Sequence, residues 1–148
     1  MARVVVLAAA LLTVGLCVGF HAWLFSELSV RLPKLRIHHR NRVVLGILAA
    51  MAAHLIEIGV FTVPIALIHH VPASWALGQL QGVEHGLTDF FYASALSYTT
   101  LGFEGIEPVG HIRLFFGVEA LAGLVLVAWT ASFTYLQMDK YWSEHGRK

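Results

Sequence analysis

Cysteine and charge are both scarce in this chain. Cys17 is the single cysteine, so no intramolecular disulfide and no cysteine-based metal cluster can form, and the redox compartment is left open. Only 13% of the 148 residues are charged, against 57% that are hydrophobic. A water-soluble domain of this size needs far more charged surface, so the solvent implied is a bilayer. A net charge of +1 gives no strong pull towards an anionic partner. Internal repeats and low-complexity linkers are absent. So are an arginine-repeating helix of the voltage-sensing kind and a His-Glu-x-x-His zinc motif.

The sequence does contain long apolar runs. Residues 4–28, 43–68 and 112–137 are each long enough, at 1.5 Å per residue, to cross roughly 30 Å of hydrocarbon. A signal peptide is the competing reading of the first run, because Arg3 precedes it. The run continues through Phe20, Trp23 and Phe25 without a small-x-small cleavage site, which favours a retained helix. Between the second and third runs, residues 89–98 are apolar and aromatic but too short to span. Thr88 or Asp89 is placed to cap the start of this short helix. A short helix followed by glycine-containing backbone reads as a re-entrant loop, tolerated at membrane depth where it lines water or is buried in protein.

Charge bias sets the orientation. Arg31, Lys34, Arg36, Arg40 and Arg42 crowd into residues 31–42, which should be cytoplasmic, with His38 and His39 among them. Residues 69–88 carry no Lys or Arg and should be external. Lys140, Arg147 and Lys148 make 139–148 a cytoplasmic tail. The N-terminus is then external, in a multi-pass protein of the cell (inner) membrane.

The chemistry-bearing segment is Ser97-Tyr98-Thr99-Thr100-Leu101-Gly102-Phe103-Glu104-Gly105. A helix, a short helix ending in Thr-Thr-Leu-Gly-Phe, then a second helix resembles the two-transmembrane pore domain of the potassium-channel superfamily. The resemblance is closest to the small bacterial ion-channel proteins of that group. It covers residues 43–142, and Phe91-Tyr92, Pro108, Glu119-Ala120 and Gly123 add to it. It implies an all-α membrane protein with a pore domain over 43–138: an outer helix, a pore helix at 89–98, a filter at 99–105 and an inner helix at 112–137. Residues 1–30 form an additional helix.

The resemblance further implies a homotetramer in the lipid bilayer. Permeant monovalent cations, potassium first, would pass Thr99, Thr100, Leu101, Gly102, Phe103, Glu104 and Gly105. Rings of backbone carbonyls and the Thr100 hydroxyl would replace the ion's hydration shell. Leu101 and Phe103 would pack behind the filter, and Gly102 would adopt backbone closed to most residues. The pattern departs at Glu104-Gly105, where the family has glycine then aspartate. A non-glycine residue held in the left-handed region costs roughly 1–2 kcal/mol. In the preferred reading Glu104 abandons that conformation and the mouth widens, with a ring of carboxylates open to divalent cations. In the alternative the chain bulges and Gly105 serves as the second glycine.

Ionisable residues inside the apolar runs are read both ways. His54 and Glu57 share a helix face, and they form either a proton or metal site or, preferably, a structural pair bonded to the pore helix. Glu119 is expected behind the filter, holding the pore loop. Gly123 is either a bending point or a close packing contact. Trp129, Phe133 and Tyr135 are candidates for an inner constriction, though packing is the simpler role. His69, His70, His85 and His111, with Glu84, are expected at the outer face, mainly solvated. The resulting expectation is a passive cation channel with no catalytic residues and no cofactor. Its rivals are a non-conducting membrane scaffold with a degenerate pore fold and an intramembrane metalloenzyme.

Overall fold

The computed structural model describes residues 1–72 and 75–145, with side chains other than those of 39 and 140–145. Its elements, in order, are α1 (Ala2–Arg31), a 3₁₀ turn (Leu32–Lys34), α2 (His39–His70), β1 (Gln79–Gln81), α3 (Leu87–Tyr98), β2 (Glu107–Val109) and α4 (Ile112–His145). Three stretches, Ala2–Lys34, Arg40–His70 and Ile112–Asp139, are long and apolar enough to cross a membrane. A helix satisfies its own backbone donors and acceptors, which is the condition for lying in hydrocarbon.

Which face of each helix is buried does not follow from hydropathy, because lipid is as apolar as a protein core. In α1 the buried stripe is Val6, Ala10, Thr13, Cys17, His21 and Phe25, while Leu11, Leu12 and Leu16 are exposed. The stripe repeats every three or four residues and carries the small and polar side chains. It packs mainly on α4 and secondarily on α2, while α3 is held between α2 and α4. The centre of the core is made by Phe61, Ile65, Phe115, Ile112 and Leu126, all fully buried, with Phe90, Ala93 and Tyr98 of α3 against them.

Several boundaries differ from the sequence-based expectation. The basic segment 31–42 is mostly helical: Arg31 closes α1, and Arg40 and Arg42 lie in the first turn of α2. Arg42 Nη2 donates to the Leu35 carbonyl at 2.6 Å, so one cation anchors the connection as well as marking topology. The helix α4 continues through His145 instead of stopping at 137, absorbing the start of the tail, while Arg147 and Lys148 lie outside the described residues. The short helix starts at Leu87, two residues early, because Gly86 is its N-cap and neither Thr88 nor Asp89 caps it. The Asp89 carboxylate instead reaches back and accepts from the backbone N–H groups of Glu84 (2.6 Å) and His85 (2.7 Å).

An antiparallel pair of short strands was not anticipated. It aligns Gln79 with Val109, Leu80 with Pro108 and Gln81 with Glu107. This pairing ties the loop before α3 to the segment after Gly105, closing both sides of the α3 hairpin.

Candidate pore loop and its buried bracing

The chain leaves α3 through a turn that consumes its own donors. Thr99 N–H bonds to Ala95 O (3.0 Å), Thr100 N–H to Ser97 O (2.9 Å) and Leu101 N–H to Leu96 O (3.0 Å). The last two are the paired bonds of a Schellman termination, whose residue after the cap is left-handed and usually glycine. Here that residue is Thr100, at φ +59°, an outlying conformation for a β-branched side chain. The Thr99 hydroxyl donates back to Ala95 O at 2.6 Å. No backbone carbonyl of 99–105 accepts a backbone hydrogen bond among the described residues, and all seven residues are exposed on the single chain.

Beyond the turn, Gly102 has φ +91° and Gly105 has φ +75°, whereas Glu104 is not left-handed. The Phe103 ring packs edge-on against Phe116 of α4, with centroids 4.9 Å apart. Leu101 is 78% exposed on the single chain. The far side of the loop is fixed by Arg113, whose Nε donates to Pro108 O at 2.7 Å and whose Nη2 reaches Glu107 Oε1 at 3.3 Å. A groove of about 470 Å³, lined by Ser97, Thr100, Gly102, Phe103, Phe116 and Gly117, runs beside the loop.

Buried polar contacts hold α3 from behind. Ser97 Oγ donates to Phe116 O at 2.9 Å. The Glu119 side chain is fully buried and bonds to Ser94 Oγ, which also lies 3.0 Å from Ile58 O of α2. One serine hydroxyl thus links outer helix, short helix and α4, and the hydrogen bond of Glu119 goes to α3 and not to residues 99–105. Gly123 is explained by contact: a Cβ there would run into the Tyr98 backbone carbonyl and meet the Tyr98 ring at 3.0 Å. Close approach, not bending, accounts for that glycine.

A second buried group joins all four helices. His21 Nδ1 of α1 lies 2.7 Å from Glu57 Oε1, and His54 Nδ1 lies 3.1 Å from Glu57 Oε2. The Tyr98 hydroxyl donates to Glu57 Oε2 and lies 2.9 Å from His54 Nδ1. On the other side, Thr130 Oγ1 of α4 is 2.9 Å from His54 Nε2 and 3.4 Å from His21 Nε2. The structural pair expected from His54 and Glu57 therefore does bond to α3, at the residue just before Thr99. His21, Thr130 and Ser94 were not singled out in the sequence. The available signal was polarity inside an apolar run, above all a histidine at the twentieth residue of α1.

Of the aromatic residues of α4 considered for a constriction, Phe133 and Trp129 contact α1, while Tyr135 is exposed. Phe133 stacks on Phe25 of α1 at 4.5 Å, and the Trp129 ring lies 5.2 Å from that of His21. Among the outer histidines, His69 is not simply solvated: its Nδ1 accepts the Leu80 N–H at 3.1 Å and positions β1. Among the described residues the outer histidines and Glu84 form no potential metal cluster; the one such group is His21, His54 and Glu57.

Two long apolar helices that grip a short helix ending in an uncovered Thr-Thr-Leu-Gly-Phe turn define a membrane protein of the pore-domain type. A family model described as ion channel matches residues 54–138, more than half of the chain. The chain belongs to that family, the two-transmembrane potassium-channel-like ion channels, which is not a class of enzymes. No curated protein and no solved structure matches it.

Proposed function

We propose that four copies of this chain surround one axis and pass monovalent cations, potassium first, along residues 99–105. The observation that carries this reading is the turn after α3. The N–H groups of Thr99, Thr100 and Leu101 are spent on the last carbonyls of α3, and among the described residues the loop's own carbonyl oxygens accept no backbone hydrogen bond. Oxygens without donors are what a dehydrating cation requires. The groove beside Phe103 and Phe116 is where the loop of a neighbouring copy packs, which places Leu101 against protein in the assembly. Loop 32–38 is cytoplasmic and the β1–β2 side external, following the basic residues.

Glu104 sets selectivity or block at the outer mouth. Left-handed backbone at Gly105 and not at Glu104 supports the bulged form of the loop over the widened mouth. In both forms the carboxylate is displaced from the glycine position and offers hard oxygen ligands to divalent cations. Reversal potentials of the purified protein in planar bilayers test this. The double substitution Glu104→Gly with Gly105→Asp should sharpen potassium over sodium, and unchanged potentials would remove Glu104 from selectivity. Silence under every cation and voltage would overturn conduction and favour the scaffold.

A further inference from the structure

The group at the junction of the four helices is a polar cluster in otherwise apolar surroundings, and its charge does not balance. Glu57 is fully buried at the middle of α2, and its ion-pair-range partners among the described residues are His21 and His54 alone. A carboxylate at that depth requires a compensating positive charge. The hydrogen bonds can be satisfied with both imidazoles neutral as Nδ1–H tautomers: His21 donates to Glu57 Oε1, His54 and Tyr98 serve Oε2, and Thr130 donates to His54 Nε2. The charge of the carboxylate is then still unmatched.

The arrangement has the form of a ligand set. Both rings turn the same atom, Nδ1, to one carboxylate, and the donor atoms of His21, His54 and Glu57 all lie within 4.8 Å of one another. Both Nε2 atoms converge on the Thr130 hydroxyl, which can accept two N–H bonds and so leave both Nδ1 lone pairs free. Metal-bound histidines are oriented in this way by an oxygen on the far nitrogen. Tyr98 supports the carboxylate on its second oxygen. Ligand atoms on a tetrahedral zinc ion stand about 3.3 Å apart, given bonds of about 2.0–2.1 Å. The present 2.7 and 3.1 Å separations, which run to different oxygens of Glu57, need to open by about 0.6 and 0.2 Å. His54 is 18% exposed and gives the cluster its edge towards the surface.

We propose that His21, His54 and Glu57 bind one divalent transition-metal ion of the zinc class, oriented by Thr130 and Tyr98. Two imidazoles and one carboxylate suit such an ion and leave a coordination position for water. The ion would pin the additional helix α1 to α2, one contact away from the residue preceding Thr99. This site is independent of whether the loop conducts, so it stands or falls on binding alone.

The test uses the full chain in lipid nanodiscs, stripped with a chelator and titrated with Zn²⁺ and with Co²⁺. The expected result is about one ion per chain, with the visible d–d bands of low-coordinate Co²⁺. Binding should be lost in the His21→Ala/His54→Ala double variant and retained in His85→Ala, whose side chain is 74% exposed. Thr130→Val should weaken affinity about 10–100-fold. If the double variant does not fold, X-ray absorption of the unsubstituted chain loaded with Zn²⁺ decides, through two imidazole shells. Absence of stoichiometric binding, a coordination shell without imidazole, or Co²⁺ bands that persist in a folded double variant would each overturn the site. The compensating charge would then be a proton shared with Glu57.

Discussion

Substituting alanine at Gly123 separates two roles that a glycine in a long membrane helix can have. If Gly123 were a bending point in open space, alanine would raise helix propensity and stabilise α4 by roughly 0.5–1 kcal/mol. In the structure the added methyl would collide with the Tyr98 carbonyl, standing 2.9 Å from its carbon and 3.0 Å from the ring. Ordinary contact begins near 3.4 Å, so α4 and the end of α3 must part by about half an ångström or more. Overpacking of this kind costs about 1–3 kcal/mol, which outweighs the propensity gain. The matched control is Gly117 on the same helix, where a Cβ meets nothing within 4 Å. Thermal unfolding in detergent should therefore shift down for Gly123→Ala and hold or rise for Gly117→Ala. At about 2–4 °C per kcal/mol, the two variants should differ by several degrees. Because Tyr98 precedes Thr99, Gly123→Ala should also disturb conduction at temperatures where it stays folded. Equal melting of the two variants would refute the packing argument and restore Gly123 as a bending point.

Three further outcomes are expected. Thr100→Gly should raise stability by about 1 kcal/mol, since it relieves a β-branched residue at φ +59°; chemical denaturation reads this, and the lost hydroxyl should lower flux in the same protein. Glu119→Gln keeps an acceptor for Ser94 and should change stability by less than about 1 kcal/mol, whereas Glu119→Ala should lose about 1–3 kcal/mol by removing the α3–α4 hydrogen bond, leaving Ser94 only Ile58 O, and opening a void. The N–H groups of His85 and Glu84 hold the Asp89 carboxyl below its ordinary 3.8. Its contribution is therefore complete above that value and is lost as pH falls through the lower folded value. Acidification into that range should loosen the loop before α3, detected as faster proteolysis at Glu84–His85, and Asp89→Asn should show the same loosening at neutral pH.

The span count, the short helix between two long ones and a glycine-containing turn after it were legible from the sequence. Each rests on local information: run length against bilayer thickness, and a hydroxyl-glycine sequence just past a helix end. The faces of the helices were not legible. Leu12 and Val6 are equally apolar, yet one is exposed and the other fully buried, because lipid removes the hydropathy contrast that marks a core in water. The strand pair 79–81 with 107–109 was missed for another reason: it is three residues long and joins segments across the whole of α3.

The sequence by itself therefore determined that this is a membrane protein of the ion-channel family, with a short helix and a glycine-containing turn between two long helices. Tertiary structure alone decided what stands behind that loop. It brought His21 from the extra helix, His54 and Glu57 from α2, Tyr98 from α3 and Thr130 from α4 to one point. It also put left-handed backbone at Gly105 and not at Glu104. A chain fixes the lengths of its helices through local hydrogen bonds, but contacts between residues 21, 57 and 130 exist only once three helices have packed.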